Sequence, residues 1–518
     1  MTAPIARSVP PGDGDAARRT PAAPDAAHAR EAAMEMDPER FRALGHELVD
    51  ELATFLGGWR ERRVTPGETP RQVRDALGRG GLPARGADAG ALLARATRLV
   101  RDHSLFNGHP RFFGYITSSA APLGALADLL AATINPNVGA WELSPMASEI
   151  EAQSLRWIAE LIGYPMGDGI LVSGGNMANF IGFLAGRRAL LGEDARRHGL
   201  GSAKLAIYAS AETHTWIQKA ADLFGFGTDA VRFVPALDDL TFDVAALRQA
   251  IARDRAAGVR PFMLIGAAGT VSTGAVDPLD ALADVAREHG MWFHVDGAYG
   301  AIAAALPESP ARLRALALAD SVAVDPHKWL YAPIEAGATF VRHPCALTDA
   351  FAWHPPYYAF GTSEDEPPLH YHEHGMQNSR GFRALKVWLT LQQAGREGVE
   401  RMVRDDIALA QAMHAAVAAH PEFETGPTGL SIATFRYAPR ELREAPDAQT
   451  RLNALNEALL ARLKLQGELF LTNAVIGGRF LLRACIVNFR TTRADVEAVP
   501  GLVAEVGRAV AAELVANR

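Results

Sequence analysis

Two stretches in the middle of the chain decide its fold class: MWFHVDGAYG at 291–300 and SVAVDPHKWL at 321–330. Each begins with a short apolar run and ends in a turn that carries a charged residue, which is typical of a buried strand. A helical pattern, DPLDALADVAREHG (277–290), precedes the first stretch. This alternation of apolar strands and helices predicts a mostly parallel sheet with helices on both faces.

Other segments extend this organisation toward the N-terminus. Three further apolar runs of strand length belong to the predicted sheet: LAIYAS (205–210), PFMLIGA (261–267) and GATFVR (337–342). The segment 122–163 has helical spacing. Earlier still, MDPERFRALGHELVDELATFL (36–56) predicts a helix that Asp37 caps. A stretch rich in Gly, Pro and Arg, about 63–90, separates that helix from the next.

The last ~130 residues have a different pattern. SIATFRY (431–437), ELFLTN (468–473) and RFLLRACIVNF (479–489) are predicted as strands. Helical segments at 446–467 and 493–516 flank them. These elements predict a small C-terminal α+β domain.

Composition narrows the class of protein. The 518 residues include 52 Lys and Arg against 59 Asp and Glu, a net charge of -7, which argues against a nucleic-acid-binding protein. Two cysteines exclude a disulfide scaffold and a four-cysteine zinc site, and they favour a reducing cytoplasm; no metal is expected. No apolar run reaches the ~18 residues of a membrane span. The N-terminus lacks the apolar segment of a signal peptide.

Chemically useful residues follow the predicted strands, where functional groups of such sheets gather. Ser173-Gly174-Gly175-Asn176 follows the run ILV and precedes a helix. A glycine pair there lets the backbone approach a phosphate at the helix N-terminus, although most such pairs are ordinary tight turns. His214 follows LAIYAS, and taken alone a histidine is more often a packing or surface residue.

Asp296 and Lys328 lie just after the apolar runs of the two stretches at 291–300 and 321–330. A carboxylate behind an apolar strand needs a cationic or protonated partner, which a structural salt bridge would also provide. Burying a charged ammonium is costly, so Lys328 either reaches water or becomes the neutral amine that a Schiff-base former requires. Together these residues match the needs of pyridoxal 5′-phosphate (PLP): an amine for its aldehyde, a carboxylate for its ring nitrogen, a flat side chain for its ring and a helix N-terminus for its phosphate.

At these residues the sequence resembles the group II PLP-dependent decarboxylases of fold type I, most of all the aromatic-L-amino-acid decarboxylase family. The likeness covers about 37–515. The motifs that carry it are HPRFFGY (109–115), WELSPMASEIE (141–151), SGGNMAN (173–179), GTVSTGAVDP (269–278), MWFHVDGAYG (291–300) and DPHKWL (325–330).

The resemblance implies an α/β fold with an N-terminal helical arm, a large PLP-binding domain and the small C-terminal domain. The expected divisions are a disordered tail at 1–35, the arm at 36–121, the large domain at 122–384 and the small domain at 385–518. Family members are homodimers whose active sites lie at the subunit interface. We therefore expect the helices at about 37–100 to wrap a partner subunit.

The resemblance also implies roles for single residues. Lys328 forms the Schiff base, Asp296 pairs with the ring nitrogen, and His214 and Ala298 pack on opposite faces of the ring. Three residues are expected near the phosphate, namely Gly175, Asn176 and His327. Thr270 is expected near the ring substituents. Asp325 stands where several relatives carry Asn, which puts its phosphate contact in doubt. Arg483 matches an arginine close to the active site, with a structural ion pair as the alternative.

The segment 350–375, rich in Pro, Gly and charge, matches a catalytic loop. In this alignment Tyr357 supplies a proton to the α-carbon after CO2 leaves, unless the register is off by one and Tyr358 does so. The implied reaction is decarboxylation of an aromatic L-amino acid to its amine. An aromatic aldehyde synthase is an alternative that Tyr357 disfavours, since relatives with that activity commonly carry Phe there. A non-catalytic homologue is a third reading, which the intact Lys328, Asp296 and His214 disfavour.

The choice of substrate stays open. Phe112, Phe113 and Tyr115 favour an aromatic pocket over the polar one that a glutamate or diaminobutyrate decarboxylase needs. Gly139 aligns with a bulky Phe that relatives contribute from the partner subunit, so glycine there would enlarge the pocket and admit an indole. Ser379, by contrast, aligns with a Ser of plant relatives that prefer phenols. Tryptophan, phenylalanine, tyrosine and dopa therefore all remain candidates.

Overall fold

A computed structural model of the chain describes residues 32–354 and 368–516. Nearly all of the predicted tail at 1–35 lies outside these residues, and so do Tyr357 and Tyr358. In the described part of the chain no helix is long and apolar enough to cross a membrane.

A seven-stranded sheet forms the centre of the large domain. Its strands are β1 (Asp168–Val172), β2 (Leu205–Ser210), β3 (Val231–Val234), β4 (Arg260–Ala267), β5 (Trp292–Asp296), β6 (Ser321–Val324) and β7 (Gly337–Val341). They lie in the order β1-β7-β6-β5-β4-β2-β3, and β7 alone runs antiparallel to its neighbours. All residues of β2, β6 and β7 are buried, as expected for apolar strands covered on both faces. The predicted mostly parallel sheet is therefore confirmed.

Helices cover this sheet and build the rest of the described chain. In the N-terminal part they are α1 (Pro38–Gly57), α2 (Pro70–Leu77), α3 (Ala89–Asp102), α4 (Pro122–Ile134) and α5 (Pro145–Ile162). In the large domain they are α6 (Gly175–His198), α7 (Trp216–Leu223), α8 (Val244–Ala256), α9 (Leu279–His289), α10 (Ala311–Arg314) and α11 (Ala346–Phe351). The C-terminal ones are α12 (Ala384–Ala419), α13 (Arg440–Arg443), α14 (Ala448–Gln466), α15 (Arg493–Glu497) and α16 (Val499–Ala516).

The N-terminal arm begins as predicted and contains one helix more than expected. Asp37 caps α1 by accepting a hydrogen bond from the Glu39 backbone N–H at 2.6 Å. The stretch at 63–90, expected only to separate two helices, contains the short helix α2. Thr69 and Gln72 form a capping box at its start, a local signal that apolar periodicity does not reveal.

A second, four-stranded antiparallel sheet confirms the C-terminal α+β domain. Its strands, β8 (Phe423–Gly429), β9 (Ile432–Tyr437), β10 (Thr472–Ile476) and β11 (Arg479–Cys485), lie in the order β10-β11-β9-β8. The strand predicted at 468–473 starts later, because Phe470 leaves the sheet and stacks on Phe112 with ring centroids 5.4 Å apart. Helix α12 packs on α4 and α5 as well as on β9, so it contacts both sheets' surroundings and joins the two parts of the chain.

Candidate active site

A cavity of about 210 Å³ opens at the C-terminal ends of β2, β4, β5 and β6. Eight of the residues singled out in the sequence line it: Gly175, Asn176, His214, Thr270, Asp296, Ala298, Asp325 and Lys328. His327 lies beside the cavity, and Tyr357 is outside the described residues. The strand ends thus bring together groups that lie more than 150 residues apart in the chain.

Asp296 is half-buried at the end of β5 and is held by two hydrogen bonds. Its Oδ2 accepts from Trp216 Nε1 at 2.8 Å, and its Oδ1 accepts from the Ala298 backbone N–H at 3.2 Å. No cationic side chain of the described residues forms an ion pair with it, so the structural salt bridge considered above is not found there. The carboxylate is oriented but keeps capacity for a charged partner in the cavity.

Lys328 lies in the turn after β6 and forms an ion pair with Asp325. The distance from Lys328 Nζ to Asp325 Oδ2 is 3.1 Å, and the Asp325 side chain is 2% exposed against 21% for Lys328. His327 Nε2 is 3.7 Å from the same oxygen. Asp325 therefore contacts the Lys328 amine directly. This contact makes it part of the site independently of the doubtful phosphate contact.

The turn between β1 and α6 leaves room for an anion. Gly174 adopts a φ of 136°, and α6 has no side-chain cap, so backbone N–H groups at its start have no capping partner. A Cβ at Gly175 would lie 2.7 Å from Asp325 Oδ2, which explains why this position needs glycine. His327 borders the same turn, and burial lowers the pKa of its imidazole.

His214 and Thr270 complete the predicted set from two different walls. The Nδ1 atom of His214 accepts a hydrogen bond from the Trp216 backbone N–H at 3.3 Å, and desolvation lowers the pKa of this imidazole, which favours its neutral form. Thr270 is 2% exposed, and its Oγ1 is 3.2 Å from the Thr273 hydroxyl oxygen.

Sequence reasoning missed several residues of this site. Trp216, which orients Asp296, comes only two residues after His214 and was visible in the same motif. Glu212 also lines the cavity. Behind the wall, His294 Nε2 is 2.7 Å from Asn179 Oδ1, and burial lowers the pKa of His294 to about 4. The signal for His294 was its place on β5, two residues before Asp296 and therefore on the same face of the strand.

One expectation about the pocket wall was wrong. Phe112 and Phe113 do not line the cavity: both are buried in separate hydrophobic clusters, where apolar packing holds them. Tyr115 is 56% exposed, and Ile116 from the same segment reaches the cavity. At Gly139, expected to contribute to the pocket of the partner subunit, a Cβ would collide with the Asn378 carbonyl oxygen of its own chain. Close approach of two backbone segments therefore requires glycine at this position.

Arg483 is a buried guanidinium without a carboxylate partner among the described residues. Its Nη1 donates to the Tyr115 carbonyl at 3.1 Å and to Thr472 Oγ1 at 3.3 Å. Its Nε and Nη2 are buried and have no hydrogen-bond partner within the described ranges. The alternative of a structural ion pair is therefore not found in this part of the chain.

The residues around the cavity fit PLP. The uncapped start of α6 suits its phosphate, the Lys328 amine suits its aldehyde, and the Asp296 carboxylate suits a protonated ring nitrogen. The glycine at 175 leaves space where any side chain would meet Asp325. This set of groups holds PLP as the cofactor.

Comparison with known proteins agrees with this site. Residues 83–437 match the family described as the pyridoxal-dependent decarboxylase conserved domain. An aromatic-L-amino-acid decarboxylase of Bacillus atrophaeus is 30% identical over 461 residues, which cover 89% of this chain and 94% of the relative. A phenylacetaldehyde synthase of Petunia hybrida is 29% identical over 471 residues, which cover 87% of this chain and 91% of the relative.

The fold is also found among solved structures. The structure described as Oryza sativa TDC with PLP and tryptamine superimposes with a TM-score of 0.85 at 26% identity, and the match covers 91% of this chain and 98% of that one. The matched family segment spans more than half of the present chain and contains Lys328, Asp296 and the glycine turn. The protein therefore belongs to the pyridoxal-dependent decarboxylase family and is a PLP-dependent amino-acid decarboxylase.

Proposed function

We propose that the protein decarboxylates an aromatic L-amino acid to the corresponding amine and CO2. The observation that carries this proposal is the convergence of Lys328, Asp296 and His214 on one cavity beside the uncapped start of α6. Bound PLP supplies the electron sink for the electron pair that the breaking Cα–carboxylate bond leaves behind.

The side chains of the cavity hold the reactants in place. Lys328 Nζ would bind the aldehyde of the cofactor, and the Asp296 carboxylate would keep a proton on its ring nitrogen. His214 and Ala298 would pack on the ring, with Thr270 near its substituents. The start of α6 would bind the phosphate through Gly175 and Asn176, with His327 beside them.

Asp325 pairs with the Lys328 amine and holds it in position at the cavity. The buried guanidinium of Arg483, whose Nε and Nη2 have no hydrogen-bond partner among the described residues, adds positive potential on the side of Tyr115.

The residues of the cavity wall favour some substrate side chains over others. Among the described lining residues Lys328 is the one lysine or arginine, and it is already paired, so a substrate with an acidic side chain lacks a counter-ion. Ile116, Ala267 and Val271 contribute apolar surface that suits an aromatic ring. The relative from Bacillus atrophaeus, named for aromatic L-amino acids, supports the same class.

Glu212 supports a second candidate. Its carboxylate lines the cavity and would attract a substrate with a cationic side chain, such as diaminobutyrate. Steady-state rates on tryptophan, phenylalanine, tyrosine and dopa, with glutamate and diaminobutyrate as controls, separate these possibilities. We expect kcat/KM for at least one aromatic substrate to exceed that for both controls. A higher value for diaminobutyrate would replace the aromatic proposal with the second candidate.

Tyr357 is the residue that separates plain decarboxylation from aldehyde synthesis. Tyr357→Phe removes one oxygen, and if the phenol delivers a proton to Cα, the carbanion formed by CO2 loss lives longer in the variant. Oxygen then intercepts it, and the products change from amine to aldehyde, ammonia and peroxide. Amine, aldehyde and peroxide are measured under air in wild type and variant.

Tyr358→Phe is the matched control for the loop register, because it removes the same atom one residue away. Amine as sole product at an undiminished rate in Tyr357→Phe would remove this tyrosine from the reaction. The same product change in Tyr358→Phe alone would move the role to the neighbouring residue.

We also propose that the protein is a homodimer. Large apolar side chains on α1, α3 and α4 are solvent-exposed, including Phe41 at 52%, Val100 at 67% and Ile134 at 67%. An apolar cavity of about 460 Å³ lies between α1 and α3. Exposed apolar surface of this extent is typical of an interaction site, and light scattering of the purified protein measures the mass directly.

Both cysteines are free, which supports a cytoplasmic location.

A further inference from the structure

We propose that Asp406 is a positioning residue for Lys328: from α12 it holds the two aromatic residues that follow the lysine and so fixes the place of its amine. This inference rests on the proposed role of Lys328. It assigns a function in the active site to a buried carboxylate that does not line the cavity.

The contact is direct and uses a single oxygen. Asp406 Oδ2 accepts a hydrogen bond from Trp329 Nε1 at 2.9 Å and another from the Tyr331 hydroxyl at 2.5 Å. Trp329 and Tyr331 are 0% and 1% exposed, so water cannot replace these bonds. Lys328 precedes Trp329 in the chain, which places its backbone next to the first anchored residue.

The backbone of this turn leaves little freedom for an alternative arrangement. The Tyr331 N–H donates to the Lys328 carbonyl at 3.2 Å, and the Tyr331 carbonyl accepts from the Ala121 N–H at 2.9 Å. Tyr331 adopts a φ of 58°, a conformation unfavourable for a bulky residue that the surroundings must enforce. The hydroxyl bond to Asp406 is one of the interactions that enforce it.

Trp329 also connects the lysine turn to the turn that follows Asp296. Its ring stacks on Tyr299 with centroids 5.0 Å apart and an angle of 15° between the planes. The Tyr299 hydroxyl oxygen is 2.6 Å from Ser431 Oγ in the C-terminal domain. The two turns that bear the lysine and the ring-nitrogen carboxylate are therefore locked together, and Asp406 anchors the pair to α12.

Burying this carboxylate is costly, which argues that the contact has a use. Asp406 is 2% exposed, and desolvation raises its pKa to about 7. The groups that act on it are the Tyr331 hydroxyl, the Trp329 indole, the Asn488 backbone N–H and the nearby Asp405. No cation among the described residues pairs with it, so its stabilisation depends on hydrogen bonds from the lysine turn and from Asn488.

The test compares two deletions of a single hydroxyl oxygen with two substitutions of Asp406. Tyr331→Phe removes the hydroxyl that donates to Asp406. Tyr208→Phe is the matched control, because Tyr208 is 0% exposed and its hydroxyl donates to the Asp254 carboxylate at 2.8 Å, away from the lysine turn. Asp406→Ala removes the acceptor altogether, and Asp406→Asn keeps an acceptor oxygen without the charge.

Two measurements are made on each variant. The first is the rate at which the near-visible absorbance of the lysine-bound cofactor appears after PLP is added to cofactor-free protein. The second is the separation of kcat from KM. We expect Tyr331→Phe and Asp406→Ala to slow cofactor capture and to lower kcat by about 10- to 100-fold with little change in KM. The reason is that displacement of the Lys328 amine slows the reaction but does not weaken substrate binding. Asp406→Asn should recover part of both, and Tyr208→Phe should lower only the melting temperature.

A loss of melting temperature alone in Tyr331→Phe, with capture and kcat like those of Tyr208→Phe, would show that Asp406 is merely structural. Tyr331→Phe carries this test even where Asp406→Ala does not fold. Failure of the proposed function gives a different result, because wild type itself would then form no lysine-bound cofactor. If wild type forms it, the variants alone decide whether Asp406 is a positioning residue.

Discussion

Lys328→Ala is expected to abolish turnover and to eliminate the near-visible absorbance of the lysine-bound cofactor, even with PLP in excess. Lys328 is the one lysine among the described residues that line the cavity, so no other amine there is placed to bind the aldehyde. The assay measures amine formation and the absorbance spectrum, with borohydride reduction to trap the cofactor on the chain.

A second variant separates chemistry from folding. Lys328→Ala leaves Asp325, whose side chain is 2% exposed, without its ion-pair partner, which on its own costs several kcal/mol. Lys328→Arg keeps a cation opposite Asp325 but offers no reactive amine, so it should fold more stably than Lys328→Ala and remain inactive. Full activity in either variant would remove Lys328 from the mechanism, and with it most of the proposed function.

Asp296→Asn should lower the decarboxylation rate by about 100-fold or more and weaken PLP binding. Asparagine keeps an acceptor for Trp216 Nε1 but cannot hold the proton of the ring nitrogen, so the electron sink weakens and a charge-assisted bond is lost. Single-turnover rates and a PLP titration measure the two effects separately.

Asp254→Asn is the matched control for this change, because Asp254 also accepts a hydrogen bond from a buried aromatic side chain but lies away from the cavity. The control should affect stability and leave the rate near that of wild type. Near wild-type decarboxylation by Asp296→Asn would reduce Asp296 to a carboxylate that only secures Trp216.

Patterns local in the chain predicted a large part of this protein. The apolar run at 205–210 coincides with β2, and Asp37 caps α1 as expected, because strand burial and helix capping depend on residues close in sequence. The order of the glycine turn, His214, Asp296 and Lys328 along the chain also predicted the cofactor. Parallel strands bring successive strand ends to one edge, so sequence order translates into a common site.

Other features depend on contacts between distant segments. Phe112 and Phe113 have the composition of an aromatic pocket, yet the backbone directs both into hydrophobic clusters, and no local pattern distinguishes a buried core ring from a pocket ring. At Gly139 a Cβ would collide with the Asn378 carbonyl oxygen, so the approach of two distant backbone segments requires glycine there.

The identity of the reactive groups was thus encoded in short motifs, since each motif joins one strand end to one side chain. The contacts by which buried side chains hold these reactive groups in place were not encoded in those motifs. Asp325 follows the apolar run of β6 and pairs with the Lys328 amine, whereas Asp406 lies within α12, a helix that starts more than 50 residues later, and holds Trp329 and Tyr331. Which buried carboxylate meets which donor depends on how α12 packs against the sheet, and such packing sums many weak contacts that no single segment contains.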